Sequence, residues 1–380
     1  MHCSSYLSLL LGASLVAALP APAATPSAAP NQDQFPINDG FPNPSNDQLQ
    51  KIFRGARGTL PNTPIPKFHP DTFKSLQIIA TNEQIEVSLY EICLLKIKNG
   101  TFGPENFVNA DHRQFVIDTF EAFYQQEEVH ALIGQGGLQA NGQQPISPSQ
   151  YQLKTDTYQD CLTTANILGD NVLGTSQGVI NQAIAAGDGG LAAQLDSLIA
   201  QEGQQSGFLR SEMVVNGKHN RIPGAMPAYT ASTREFLFSL LEQNFIKPGT
   251  DKNKIDLPVF LSLSVQNQNI NPVDQTLSYK VNLKTKTGNN YKFISNVNWD
   301  SKNLYLAYIS GQNSPFYEPI KNVKMDSKRQ ILTFDADFPA YTNIINAFAV
   351  GALVSGNNAT TAQEVTSNTV AGPATIELTN

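Results

Sequence analysis

Basic charge is in short supply in this 380-residue chain, where 25 Lys and Arg stand against 32 Asp and Glu. The net charge of −7 and pI near 5.3 argue against nucleic acid or an anionic membrane as a main partner. Charge of either sign is sparse, at 15% of residues, and Ser, Thr, Asn and Gln take its place, as suits an exported protein. Long apolar runs are missing beyond the amino terminus. No later segment approaches the roughly 18–20 continuous apolar residues of a membrane span, so no membrane partner is expected once a leader is removed. There is no Ser/His/Asp hydrolase elbow, and the glycine-rich stretches Gly134–Gly142 and Gly187–Gly190 precede no phosphate-binding pattern.

What is present begins with Leu7–Leu19, an apolar run followed by Pro20-Ala21-Pro22-Ala23-Ala24. Its length and small-residue cleavage context read as a signal peptide over residues 1–23. Removal takes away Cys3 and leaves Cys93 and Cys161. Residues 24–66 are dense in Pro, Asn, Gln and Gly and read as an extended arm, with Phe35, Phe41 and Phe53 to tack it onto a neighbour. The remaining length exceeds one core, which predicts two domains: a helical bundle over 67–248 and a β-sandwich over 255–380.

Four helix-length stretches carry apolar stripes at spacings of three and four, the mark of packed antiparallel helices. They read Leu76, Ala80, Glu83, Val87, Tyr90, Leu94, Ile97; then Val116, Phe120, Phe123, Glu127, His130, Gly134; then Tyr158, Leu162, Ala165, Gly169, Val172, Ser176, Val179; then Leu191, Leu195, Leu198, Glu202, Gln205, Leu209. Helix three is expected over about 149–186, and a further short helix over 232–246. Short links join helices one to two and three to four, while a longer middle link permits a crossover connection. After Pro248-Gly249 the period changes to two, as in Leu277, Tyr279, Val281 and Leu283, and runs such as Leu304–Ile309 and Ile331–Ala336 predict a sandwich of about seven antiparallel strands. Trp299, Tyr305 and Tyr308 fit either its core or a sugar-stacking surface.

Carboxylates in mid-stripe are costly to bury unless they share protons, accept hydrogen bonds or hold a metal. A dinuclear carboxylate site in a bundle takes one Glu from each of two helices and Glu-x-x-His from each of the other two. Glu127-Glu128-Val129-His130 meets that pattern, and helix one offers Glu83, with Glu86 one turn on. Helix four has Glu202, but Gln205 stands where a second His belongs. Helix three has Gly169 where a Glu belongs, with Asp170 about 100° round the helix. Cys93 lies ten residues after Glu83 and Cys161 eight before Gly169, so antiparallel helices bring the two thiols to one height and predict a disulfide, against two separate buried thiols. Asn99-Gly100-Thr101 and Asn358-Ala359-Thr360 are glycosylation sequons. His69, His112 and His219 have no ligand spacing to a partner and read as surface residues.

The segments Ala80–Tyr90, Gln126–His130 and Ile199–Arg210 resemble secreted fungal ferritin-like proteins, the group that includes late sexual development and stress-response proteins. Asn244–Pro248, Leu257–Leu261 and Ala371–Glu377 are similar to that group's junction and carboxyl end, so the likeness covers roughly residues 70–380. The resemblance implies a ferritin-like bundle plus a β domain, an extracellular or cell-wall location, and a role in development or stress without an established catalytic activity. It matches Glu83, Glu127, His130 and Glu202 to the ligands of iron-binding relatives, with Glu86, Tyr90, Asp170 and Gln205 as supporting residues. Four readings stay open. The site is a metal-free relict held by protons; it binds one divalent metal, iron by resemblance; it is a two-metal oxidoreductase with Asp170 or Glu86 filling in; or the β domain acts by binding cell-wall glycan. Self-association is a further partner class.

Overall fold

The structure, a computed structural model, describes residues 34–60, 64–215, 229–283 and 303–378. The leader, His219 and Trp299 lie outside them. The described residues belong to one contact unit, Gln32–Asn380, and among them no helix is long and apolar enough to cross a membrane.

Four long helices form the helical frame: α2 (Pro70–Lys98), α3 (Ala110–Ala140), α4 (Tyr158–Ala186) and α5 (Gly189–Val215), preceded by α1 (Asn46–Ala56). Each start has a chemical cause. His69 caps α2 through its ring nitrogen, with Pro70 in the first turn. Asn109 caps α3, and Thr157 and Asp160 form a capping box at α4. Gly187, at φ +87°, ends α4 in the left-handed conformation and permits the tight turn into α5. The resulting hairpins, α2 with α3 and α4 with α5, join along α2 and α4. The stripe residues Tyr90, Leu94, Phe120, Tyr158, Leu162 and Leu209 sit in one core cluster. Cys93 and Cys161 are bonded within it, with Cα atoms 6.1 Å apart.

Two expectations for this half are corrected. The arm is not extended throughout: α1 forms because Ser45 and Gln48 make a capping box and Ile52 and Ala56 bury one face beside Val129. Phe35 and Phe41 enter the bundle core. Helix three starts later than expected, because Gln150–Gln152 is spent pairing with Phe245–Lys247 in a short antiparallel bridge.

Helix α6 (Arg234–Asn244) leads into the β region. Its strands are β1 (Ser262–Val265), β2 (Asp274–Asn282), β3 (Leu304–Ile309), β4 (Phe316–Pro319), β5 (Lys321–Asp326), β6 (Ile331–Pro339), β7 (Phe348–Ser355) and β8 (Thr369–Glu377), with a short helix α7 (Ala362–Ser367) before the last. They form two antiparallel four-stranded sheets, ordered β1-β2-β6-β5 and β4-β3-β7-β8. Leu277, Tyr279, Phe334 and Phe338 of one sheet share a core with Leu306, Tyr308 and Leu353 of the other. Pro373 lacks an N–H and lies in an edge strand, where that loss is tolerated. Tyr308 is buried, its hydroxyl 3.0 Å from that of Tyr279, and Tyr305 packs against a second apolar cluster. Neither is a free stacking platform. Strand β5 escaped the period-two reading because all six of its residues are exposed at a sheet edge.

Candidate metal centre

Burial without charge compensation is the central problem at mid-bundle. Glu83 of α2, Glu127 of α3 and Glu202 of α5 are at most 1% exposed, and His130 is 3% exposed. Glu127 and His130 stand three apart, so one helix face presents both. The imidazole Nδ1 lies 2.9 Å from Glu127 Oε2, 3.2 Å from Glu202 Oε1 and 3.4 Å from Glu83 Oε2. On its far side Nε2 is 2.7 Å from Gln201 Oε1. An amide oxygen can only accept, so Nε2 carries a proton and Nδ1 is the atom aimed at the acids. Gln201 was not found from the sequence; its position beside Glu202 is the only signal, and it is weak.

The electrostatics follow from this crowding. Burial opposes the charged form of His130, yet the neighbouring Glu127 charge and hydrogen bonds donated by its ring to the acids raise its pKa well above the usual value. Burial likewise pushes Glu127 up, but His130 and Gln205 more than offset it, and the net shift is downward. Burial and the Glu127 charge bring Glu202 up to about 7. Burial also raises Glu83 well above a normal carboxyl. With no metal the site is therefore an imidazolium beside one firmly ionised carboxylate, with protons on its neighbours.

The supporting residues divide into two groups. Tyr90 donates to Gln205 Oε1 at 3.1 Å, which turns the Gln205 amide nitrogen onto Glu127 Oε1. Gln205 thus orients a carboxylate from the place where a second imidazole would stand. Glu86 is buried and accepts from Asn82 Nδ2 at 2.7 Å, and burial followed by the Glu202 charge raises its pKa. Asp170 is in a different network from the one expected: it pairs with Arg210, accepts from Ser206 at 3.1 Å and from Asn166 at 3.0 Å. A side chain with a strong cationic partner is committed, because breaking a buried pair costs about 3–5 kcal/mol. At Gly169 an added Cβ would meet only Ser206 Oγ, at 3.7 Å, an ordinary contact, so the position itself admits a side chain's first carbon but the sequence supplies none. His112 also departs from expectation: it is half-buried, with Nε2 3.0 Å from Glu212.

The four convergent residues fit a divalent cation on three grounds. One ligand atom from each lies within 4.8 Å of the others. The separations around Nδ1 match the edges of a coordination shell, about 2.9–3.4 Å for ligands held at roughly 2.0–2.1 Å. Beyond the shared His130 Nδ1 and the protons the acids hold among themselves, no donor reaches either oxygen of Glu83 or Oε1 of Glu202, which leaves buried acceptors that a cation would satisfy.

Long helices that focus three carboxylates and one imidazole on a buried point define a carboxylate–histidine helical bundle. Residues 71–214, nearly all of α2 to α5, match the ferritin-like domain family, so the helical part of this chain is a ferritin-like domain. No curated protein matches the chain.

Proposed function

We propose that the ferritin-like domain holds one divalent metal ion through Glu83, Glu127, His130 and Glu202, and that the protein sequesters metal or is stabilised by it as an exported, protective component. The observation carrying this reading is the convergence of Glu83, Glu127 and Glu202 on His130 Nδ1, with no donor reaching the Glu83 oxygens or Glu202 Oε1 from outside the four residues. A bound ion would supply the positive charge that protons otherwise provide. Iron follows from the resemblance to fungal secreted relatives, as do export to the extracellular space or cell wall and a role in development or stress. Asn99 and Asn358 are exposed, which suits glycosylation. A two-metal oxidoreductase is less well supported: Gly169 offers no donor, Gln205 is turned nitrogen-first to Glu127, and Asp170 is paired with Arg210. Anaerobic dialysis of the mature chain against ferrous iron, with calcium present, tests the proposal. One iron per chain is expected, lost in His130→Ala. Iron binding that survives this substitution, or none at all, would refute it.

A further inference from the structure

A second group of acids lies on the other side of the same helices and shares no residue with the first. Asp39 comes from the arm before α1, Glu91 from α2 and Glu128 from α3, and one oxygen of each lies within 4.8 Å of the others. Glu91 and Glu128 are fully buried, and Asp39 is half-buried. Glu128 and Asp39 are close enough to share a proton, but no donor from outside the group reaches either oxygen of Glu128, Glu91 Oε1 or Asp39 Oδ2. Three carboxylate oxygens, one from each acid, therefore converge with no donor from outside the group, and the fully buried Glu128 is directed into it. No Lys, Arg or His forms an ion pair with any of the three among the described residues.

We infer that Asp39, Glu91 and Glu128 form a separate site for an oxygen-preferring divalent cation, best matched by Ca²⁺, which clamps the amino-terminal arm onto α2 and α3. The donor set is all carboxylate, which favours hard cations over the transition metals that imidazole attracts. Oxygens on opposite sides of a calcium ion stand roughly 4.6–5.2 Å apart, since each bond is about 2.3–2.6 Å, and the observed spread lies within that. The remaining coordination falls to water, since the half-buried Asp39 leaves one side open.

The arm is positioned for this role. Ile37 N donates to Glu91 Oε2 at 3.0 Å, and Phe41 N to Asp39 Oδ1 at 3.2 Å, so each acid keeps one oxygen fixed and one free. Tyr151 N donates to Gln34 Oε1 at 2.9 Å, and Phe35 stacks edge-on against Phe41 with ring centroids 5.0 Å apart. These contacts bring Asp39 over Glu91 and Glu128. A cation there links three segments that are far apart in sequence.

The test is calorimetric titration of the chelator-treated mature chain with calcium chloride, together with limited proteolysis of the arm. One Ca²⁺ per chain is expected, with a Kd between roughly micromolar and millimolar. Glu128→Gln and Asp39→Asn should each weaken it by about tenfold or more, the loss of one charged oxygen ligand, while His130→Ala leaves it unchanged. Calcium should slow cleavage within residues 34–60 in the parent chain and in His130→Ala, but not in Glu128→Gln. Asp39→Asn alters only the half-buried arm, so it gives a result even if the buried Glu128 variant folds poorly. Absence of calcium binding, or binding that Asp39→Asn leaves intact, would overturn the inference. Because His130→Ala separates the two sites, failure here is distinguishable from failure of the iron proposal.

Discussion

At the scale of single residues, the mid-bundle acids make stability depend on pH in one direction. A carboxyl whose folded pKa exceeds its unfolded value binds its proton more tightly when folded. It therefore loses stabilisation as pH rises from about 4.5 to the folded pKa. Glu202, brought up to about 7 by burial and then Glu127, and Glu83 and Glu86, raised chiefly by burial, all act this way. His130 adds to the trend: its elevated pKa gives stabilisation that is full below about 6.5 and lost as pH rises through the folded value. Glu127 alone opposes it, since its contribution is lost as pH falls below about 4.5. The metal-free chain should therefore melt at a lower temperature at pH 8 than at pH 5. Glu202 alone accounts for on the order of 3 kcal/mol. Saturating divalent metal should reverse the slope, because ligand carboxylates must be ionised to bind. A melting temperature that rises with pH in chelator would contradict this charge assignment.

At the scale of elements, the close meeting of helices sets the tolerances. Helix α4 passes the Thr230–Ser232 segment so closely that a Cβ on Gly174 would stand 2.0 Å from Thr230 O. A backbone oxygen cannot swing aside as a side chain can, so Gly174→Ala should cost about 1–3 kcal/mol or more in denaturant unfolding. The Cys93–Cys161 bond ties α2 to α4 across a separation of 68 residues. Loop-closure entropy assigns about 4 kcal/mol to a link of that span. The Cys93→Ser, Cys161→Ser pair should lose stability of that order while its metal stoichiometry stays at the parent value. Much of this was readable in the chain itself. The three-and-four stripes locate α2 to α5, and the offsets from Glu83 and Gly169 locate the disulfide, because helical rise is nearly constant. Strand β5 and helix α1 were harder to see. The first buries nothing, and the second is marked only by a four-residue capping box inside a Pro- and Asn-rich stretch. The acid triad of Asp39, Glu91 and Glu128 was invisible for a different reason: one member arrives from the arm, and no spacing encodes where an arm docks.

At the scale of the whole molecule, the β-sandwich and the bundle share an interface and are not merely strung together. Gln243 Nε2 on α6 donates to Phe260 O at 2.8 Å and Gly372 O at 3.0 Å, and Phe236 packs edge-on against Phe260. Thr230 Oγ1 reaches Phe348 O at 2.9 Å. The sheets thus support the carboxyl-terminal side of the helical frame, while the arm covers α2 and α3. Between them stand Glu83 on α2, Glu127 and His130 on α3, and Glu202 on α5. The most direct test of the account is X-ray absorption at the metal edge of the mature chain loaded with one equivalent of ferrous iron. The account predicts oxygen and nitrogen ligands, the scattering pattern of a single imidazole that disappears in His130→Ala, and no metal–metal vector. A second metal at about 3.5–4 Å, or a first shell with no imidazole, would contradict it.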